Sequence, residues 1–161
     1  MSDQTYALRV ERVIGAAQEP LFDAWTTPSL LQQWLHPAED WSTPVADTDA
    51  RVGGRYRWGV RSPEGATFYE VGEFLEVVRP ERLVYTCSFE DEANAFDMPQ
   101  EEHVVRVSFE RLAEGTRVVV VQEGYLKGDQ RDAQAQGWPA FLDQLTKLVV
   151  ARLSARRAEP V

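Results

Sequence analysis

Cysteine is nearly missing from this chain: Cys87 is the only one in 161 residues. A lone thiol cannot close an internal disulfide, which suits a reducing compartment and points to the cytoplasm. Histidine is also scarce, with only His36 and His103. His36 has Glu39 and Asp40 beside it, but zinc prefers several Cys or His ligands, and the second His is far away in sequence. No metal site is expected. Basic residues are outnumbered, 17 against 26 acidic ones, for a formal charge of -9. Nucleic acids and anionic membranes need clustered Lys and Arg to neutralise phosphate, so neither is an expected partner. Purely apolar runs are short, as at 118–121, and none spans a membrane. The start, MSDQTYALRVERV, lacks the cationic and apolar regions of a secretory signal. Also missing are the glycine-loop motifs for nucleotides and dinucleotides, CxxC, HExxH, internal repeats and a dividing linker. No cofactor is expected.

What is present is an ordinary globular composition, 43% hydrophobic and 27% charged. The length fits a single domain over 5–157, large enough to bury a core and still enclose a pocket. Five Trp, seven Phe and five Tyr supply aromatic surface that serves cores and ligand pockets equally. The acidic excess is concentrated. From 90 to 102 stand Glu90, Asp91, Glu92, Asp97, Glu101 and Glu102, without a Lys or Arg. Such a stretch is a solvated acidic loop or a docking surface for a basic protein.

Alternation of apolar and polar side chains marks a strand at 6–14. Leu21, Phe22 and Trp25 then fall at helical spacing over 18–26, with Pro20 in the first turn. Thr27-Pro28 ends that helix, and Leu30, Leu31 and Trp34 mark a second short one, followed by an irregular loop, HPAEDWSTP. From Val45 onward strands and turns take over. Tyr56, Trp58 and Val60 alternate with Arg55, Arg57 and Arg61, and 67–78, 82–89, a segment after His103, and 116–123 follow. Gly53-Gly54, Ser62-Pro63-Glu64-Gly65 and Glu114-Gly115 supply the turns, the first pair reading as a turn or bulge rather than a phosphate cradle. A long C-terminal helix carries the stripe Trp138, Phe141, Leu142, Leu145, Leu148, Val149 and Arg152, and Pro139 is expected to interrupt it near 137–139, either as a kink or by ending one helix and starting another. Consecutive hairpins covered by one amphipathic helix make an α+β domain with an antiparallel sheet.

Five pieces, 21–34 (LFDAWTTPSLLQQW), 49–57 (DARVGGRYR), 72–85 (GEFLEVVRPERLVY), Gly115-Thr116 and 137–145 (GWPAFLDQL), come in an order and spacing that resembles the START-like (SRPBCC) superfamily. The resemblance is to the branch related to the C-terminal domain of activators of the ninety-kilodalton heat-shock-protein ATPase. It implies a helix-grip fold: a curved seven-stranded antiparallel sheet around the C-terminal helix, two short helices after the first strand, and a cavity between sheet and helix. Members of the superfamily bind lipids, polyketides and other hydrophobic molecules, and some are cyclases or hydrolases. Fold alone does not settle which.

Binding of a small apolar ligand in that cavity is therefore the leading expectation. A co-chaperone-like interaction module and a cyclase or hydrolase are the rivals. Candidate wall residues are Tyr56, Trp58, Phe74, Tyr85, Cys87 and His103 on strands, and Trp138, Phe141, Leu142 and Leu145 on the helix; plain core packing is the competing reading for each. Trp25 and Trp34 read as helix-to-sheet packing. If the hairpin is centred near Ala95, Cys87 lies opposite His103, and a thiol beside an imidazole is the arrangement of an activated nucleophile. Glu70 and His103 are the alternative bases for an enzyme.

Overall fold

The computed structural model describes residues 4–158, with side chains up to Arg156. In chain order the elements are β1 (Tyr6–Ile14), α1 (Gln18–Thr26), α2 (Pro28–Trp34), β2 (Ser42–Thr48), β3 (Arg55–Arg61), β4 (Thr67–Val78), β5 (Arg82–Asp91), β6 (His103–Leu112), β7 (Gly115–Tyr125) and α3 (Gly128–Ala158). The seven strands form one antiparallel sheet in the order β1-β7-β6-β5-β4-β3-β2, the curved sheet and long helix of a helix-grip fold.

Local chemistry accounts for the boundaries. Thr27 is extended, with ψ 119°, because the ring of Pro28 crowds the helical conformation of the residue before it; α1 stops there and Pro28 opens α2. Strand β2 starts at Ser42, inside the stretch read as an irregular loop. Pro44 is accepted there because β2 is an edge strand and the register slips between Ser42 and Val45, so its missing N–H breaks no ladder. Strands β5 and β7 outrun the expected 82–89 and 116–123, reaching Asp91 and Tyr125.

The expected division into two helices at Pro139 does not occur: α3 runs 31 residues through it. Pro139 costs the bond to the Ala135 carbonyl, but contacts on both sides hold the helix against the sheet. Arg131 donates to the Ala7 carbonyl at 2.8 Å, and Arg12 donates to Asp143 at 2.7 Å and to the Pro139 carbonyl at 3.4 Å. Beyond the proline, Leu142, Leu145 and Val149 are buried at 2% exposure or less. Each such side chain contributes about 1.5–3 kcal/mol on burial, enough together to outweigh one lost hydrogen bond.

The core lies between the concave face of the sheet, α1, α2 and the second half of α3. It joins Ile14, Leu21, Trp25, Trp34, Leu83, Phe109, Val118 and Leu145. The Trp25 ring sits edge-on to Trp34 at 4.9 Å and stacks on Trp138 at 6.1 Å, tying both short helices to α3. Among the described residues no helix is long and apolar enough to cross a membrane.

Pro139 is exposed, so its replacement disturbs no packing. Pro139→Ala restores a donor for the Ala135 carbonyl and is expected to stabilise the fold by about 1–3 kcal/mol, read as a raised urea midpoint at unchanged slope. A lowered midpoint would mean that the proline shapes the helix in a way the fold requires.

Candidate ligand cavity

Between β3–β5 and the first half of α3 lies a cavity of about 510 Å³. Cross-strand register builds its floor. Trp58, Glu70 and Phe89 stand side by side on three neighbouring strands, and Val60 faces Phe68 next to them. The opposite wall comes from Gln130, Ala133, Gln134, Gly137, Trp138 and Phe141 of α3, with Gln122 of β7 at the back. Loops close the rest through Leu35, Pro37 and Trp41 on one side and Phe96, Met98 and Pro99 on the other.

Of the residues expected from sequence, Trp58, Trp138, Phe141 and Glu70 are on this wall; Tyr56, Phe74, Tyr85, Cys87, His103, Leu142 and Leu145 are not. These seven are all buried, at 3% exposure or less, in the packed layer beneath or beside the cavity. Position along the sheet separates the two groups. Trp25 of α1 already covers Tyr85, its indole N–H donating to the phenol at 3.2 Å, and Tyr56 and Phe74 cluster around Tyr85 at 5.3 and 5.7 Å between ring centres. The loop residues and the three glutamines escaped the sequence reading. The available signal was the pair Phe96 and Met98, apolar side chains inside an acidic stretch.

The acidic stretch is folded back over the cavity. Asp91 Oδ2 accepts from the backbone N–H groups of Phe96 and Met98 at 3.0 and 3.3 Å, while its Oδ1 is buried with no partner among the described residues. Ala93, Asn94 and Asp97 take left-handed backbone, with φ of 59°, 51° and 51°. Asn and Asp accept it readily, whereas Ala93 takes it at a cost that its surroundings offset. Glu101 is used internally as well, accepting from His103 at 2.8 Å and from the Leu126 N–H at 3.1 Å.

Hydrogen-bond inventory fixes the polar back wall. The Trp138 indole can only donate, and it donates to Gln122 Oε1 at 3.2 Å, so the amide nitrogen of Gln122 points the other way. That nitrogen donates to His103 Nδ1 at 2.9 Å and to Gln134 Oε1 at 3.3 Å, and Gln134 Oε1 also accepts from the Tyr125 phenol. His103 therefore carries its hydrogen on Nε2 and gives it to Glu101. Cys87 and His103 are register partners, as the hairpin arithmetic expected, but Gln122 stands between their functional atoms, its nitrogen 4.0 Å from the sulfur. Burial, followed by the nearby Glu70, pushes the Cys87 thiol well above its ordinary range, which keeps it protonated and a poor nucleophile. His36 lies elsewhere, its Nδ1 2.9 Å from Thr43 Oγ1, and burial lowers its pKa. Gly53-Gly54 is a turn: Gly53 has φ 84°, and Gly54 N–H donates to the Arg51 carbonyl at 2.8 Å.

Among the described residues, Glu70 is the one carboxyl set into the cavity floor. The Tyr56 oxygen lies 2.8 Å from Glu70 Oε2 and 2.7 Å from the Thr86 carbonyl. A phenol has one hydrogen and cannot donate fully to both. Both contacts are satisfied when Glu70 is the carboxylic acid: it donates to Tyr56, and Tyr56 donates to Thr86. Gly72 makes the arrangement fit. It is Tyr56's register partner, and a Cβ there would lie 1.9 Å from the Thr86 oxygen and 2.8 Å from the Tyr56 ring. Burial acts in the same direction, raising Glu70 to about 7.

The family model described as "Activator of Hsp90 ATPase homolog 1-like protein" matches residues 16–150. A solved structure from Chromobacterium violaceum is 31% identical with a TM-score of 0.78, covering 89% of this chain and 96% of that one. An AHSA1-like protein from Aeromonas hydrophila is 26% identical with a TM-score of 0.74, over 91% of this chain and 94% of its own. An AHSA1 protein from Silicibacter pomeroyi, 22% identical, has the same fold at a TM-score of 0.76 over 94% of this chain and 99% of its own. No curated protein matches the chain.

Glu70 makes stability depend on pH. Its folded value of about 7 lies above the ordinary 4.5, so the folded state holds the proton more tightly. Below about pH 4.5 both states are protonated and nothing is lost. As pH rises to about 7 the unfolded chain ionises first, and stability falls by something on the order of 3 kcal/mol before levelling off. Glu70→Gln keeps a donor toward Tyr56 and removes the titration. Thermal unfolding at pH 5 and pH 8 is expected to show a smaller loss in the variant than in the parent; equal losses would mean that Glu70 is ionised in the fold throughout.

Proposed function

This chain belongs to the activator of Hsp90 ATPase homolog 1-like family, and on that premise we propose that it is a cytoplasmic binding protein for a small, largely apolar molecule, held without chemical conversion between the sheet and α3. The supporting observation is the cavity of about 510 Å³, within the range of small-molecule sites, with a mainly aromatic and aliphatic wall. Its polar groups are engaged with one another: Gln122 with His103 and Gln134, and Gln130 with the Asp97 carbonyl at 3.1 Å. An apolar occupant would therefore leave few of them unsatisfied. Burying ~300 Å² of ligand surface at about 25 cal/mol per Å² contributes roughly 7 kcal/mol before association costs, consistent with micromolar affinity.

The family's description, which names an ATPase activator, supports a second reading, a co-chaperone-like interaction module whose acidic loop meets a basic protein surface. That loop spends Asp91 and Glu101 internally and offers Glu92 and Glu102 outward. Of the exposed apolar side chains, Leu126 adjoins the loop, its N–H on Glu101, while Val13, Leu75, Val78 and Val150 are spread over β1, β4 and α3. A cyclase or hydrolase would draw on Glu70, the only carboxyl among the described residues of the cavity floor.

Gly137 supplies the test. It faces the cavity, and a Cβ there would meet nothing within 4 Å. Gly137→Phe sends a ring toward the space from a Cβ that meets no atom within 4 Å, and replaces a helical glycine by a better helix former, worth about 0.5 kcal/mol. The uncharged dye Nile red is expected to bind the parent at one site and lose most of that binding in the variant, at unchanged or higher thermal stability. Equal dye binding by both proteins places the site elsewhere, and marked destabilisation means that the space is filled core.

A further inference from the structure

The cavity wall is one-sided in charge. Among the described residues that line it none is Lys, Arg or His; the ionisable ones are Glu70 in the floor and Asp97 and Asp129, exposed at the rim. An anion drawn out of water into such a space needs a counter-cation or a set of uncommitted donors. The Gln122, Trp138 and Trp58 donors that line it are committed, and the Gln134 amide nitrogen faces the Met98 sulfur at 3.6 Å. Gln122 gives its amide to His103 and Gln134, Trp138 gives its indole N–H to Gln122, and Trp58 gives its own to Thr48 at 3.0 Å. Nor is a buried counter-charge ready for a cation, since the hydrogen count at Tyr56 has Glu70 as the neutral acid.

Resting on the proposal that the cavity holds a small apolar molecule, we infer that its ligand is uncharged, an alcohol, ketone or ester of lipid or polyketide type, and that carboxylate-bearing lipids are rejected. The rejection has two parts. Inside, nothing offsets the loss of hydration of a carboxylate, and at the rim Asp97 and Asp129 repel it on approach. A hydroxyl costs far less to desolvate and can donate to the Glu70 carboxyl, whose own hydrogen is given to Tyr56.

Calorimetry with three probes of equal chain length, decan-1-ol, decanoate and decylammonium, tests this at pH 6.5, with Nile red as an independent reporter of the cavity. Decan-1-ol is expected to bind at least tenfold more tightly than decanoate, and more tightly than decylammonium. Ala133→Arg, which adds a cation to the wall, is expected to raise the ratio of decanoate to decan-1-ol affinity at least fivefold. If Nile red binds but decanoate matches decan-1-ol, or decylammonium exceeds it, or no decyl compound binds, the charge selectivity is wrong and the cavity reading survives. The same holds if Ala133→Arg leaves that affinity ratio unchanged. If neither Nile red nor any decyl compound binds, the cavity reading fails and this inference with it.

Discussion

One helix is too narrow for this sheet. Seven strands spaced about 4.8 Å apart present a face roughly 30 Å across, whereas a helix with its side chains covers about 10 Å. Helix α3 is held toward β1 by Arg12 and Arg131, and α1 and α2 cover the neighbouring area from their own side. What remains open is the stretch over β3, β4 and β5. Neither helix nor sheet can close it, so loops do, and the space beneath them is the cavity.

That geometry explains why the loop after β5 is built as it is. Its carboxylates are outward and hydrated in part, yet Asp91 and Glu101 fold the segment back through backbone N–H groups, and Phe96, Met98 and Pro99 face inward. The polar back wall follows the same economy. A chain of single-purpose groups, from the Trp138 indole through Gln122 to His103 and Glu101, leaves each donor one acceptor to find. Networks in which every member is satisfied hold one geometry, which keeps the cavity formed without an occupant.

Much of this was legible in the sequence. Period-two alternation, glycine and proline turns and one long apolar stripe are local signals, and they specify strands, hairpins and the covering helix. Even the pairing of Cys87 with His103 followed from the centre of a hairpin. Which inward side chains reach the cavity was not legible. Tyr56 and Trp58 share a face of β3, yet only Trp58 reaches the space, because the Tyr56 side is closed over by Tyr85 and the α1 residue Trp25. That is decided by packing between distant segments. Pro139 misled for the opposite reason: its local rule is strong, but tertiary contacts on both sides overrode it. Phe96 and Met98 were hidden among carboxylates that describe the loop's outer surface rather than its inner one.

The five indole N–H groups offer the most direct reading of the central claim, that the space over β3–β5 holds an apolar ligand. Trp41, Trp58 and Trp138 line the cavity, while Trp34 is sealed in the core with its N–H on the Ala24 carbonyl at 2.8 Å. In a nitrogen–proton correlation spectrum, saturating decan-1-ol is expected to move the first three signals, leave Trp34 in place and shift Trp25 only through its stacking on Trp138. Five unmoved signals, or a Trp34 displacement as large as that of Trp58, would contradict the account.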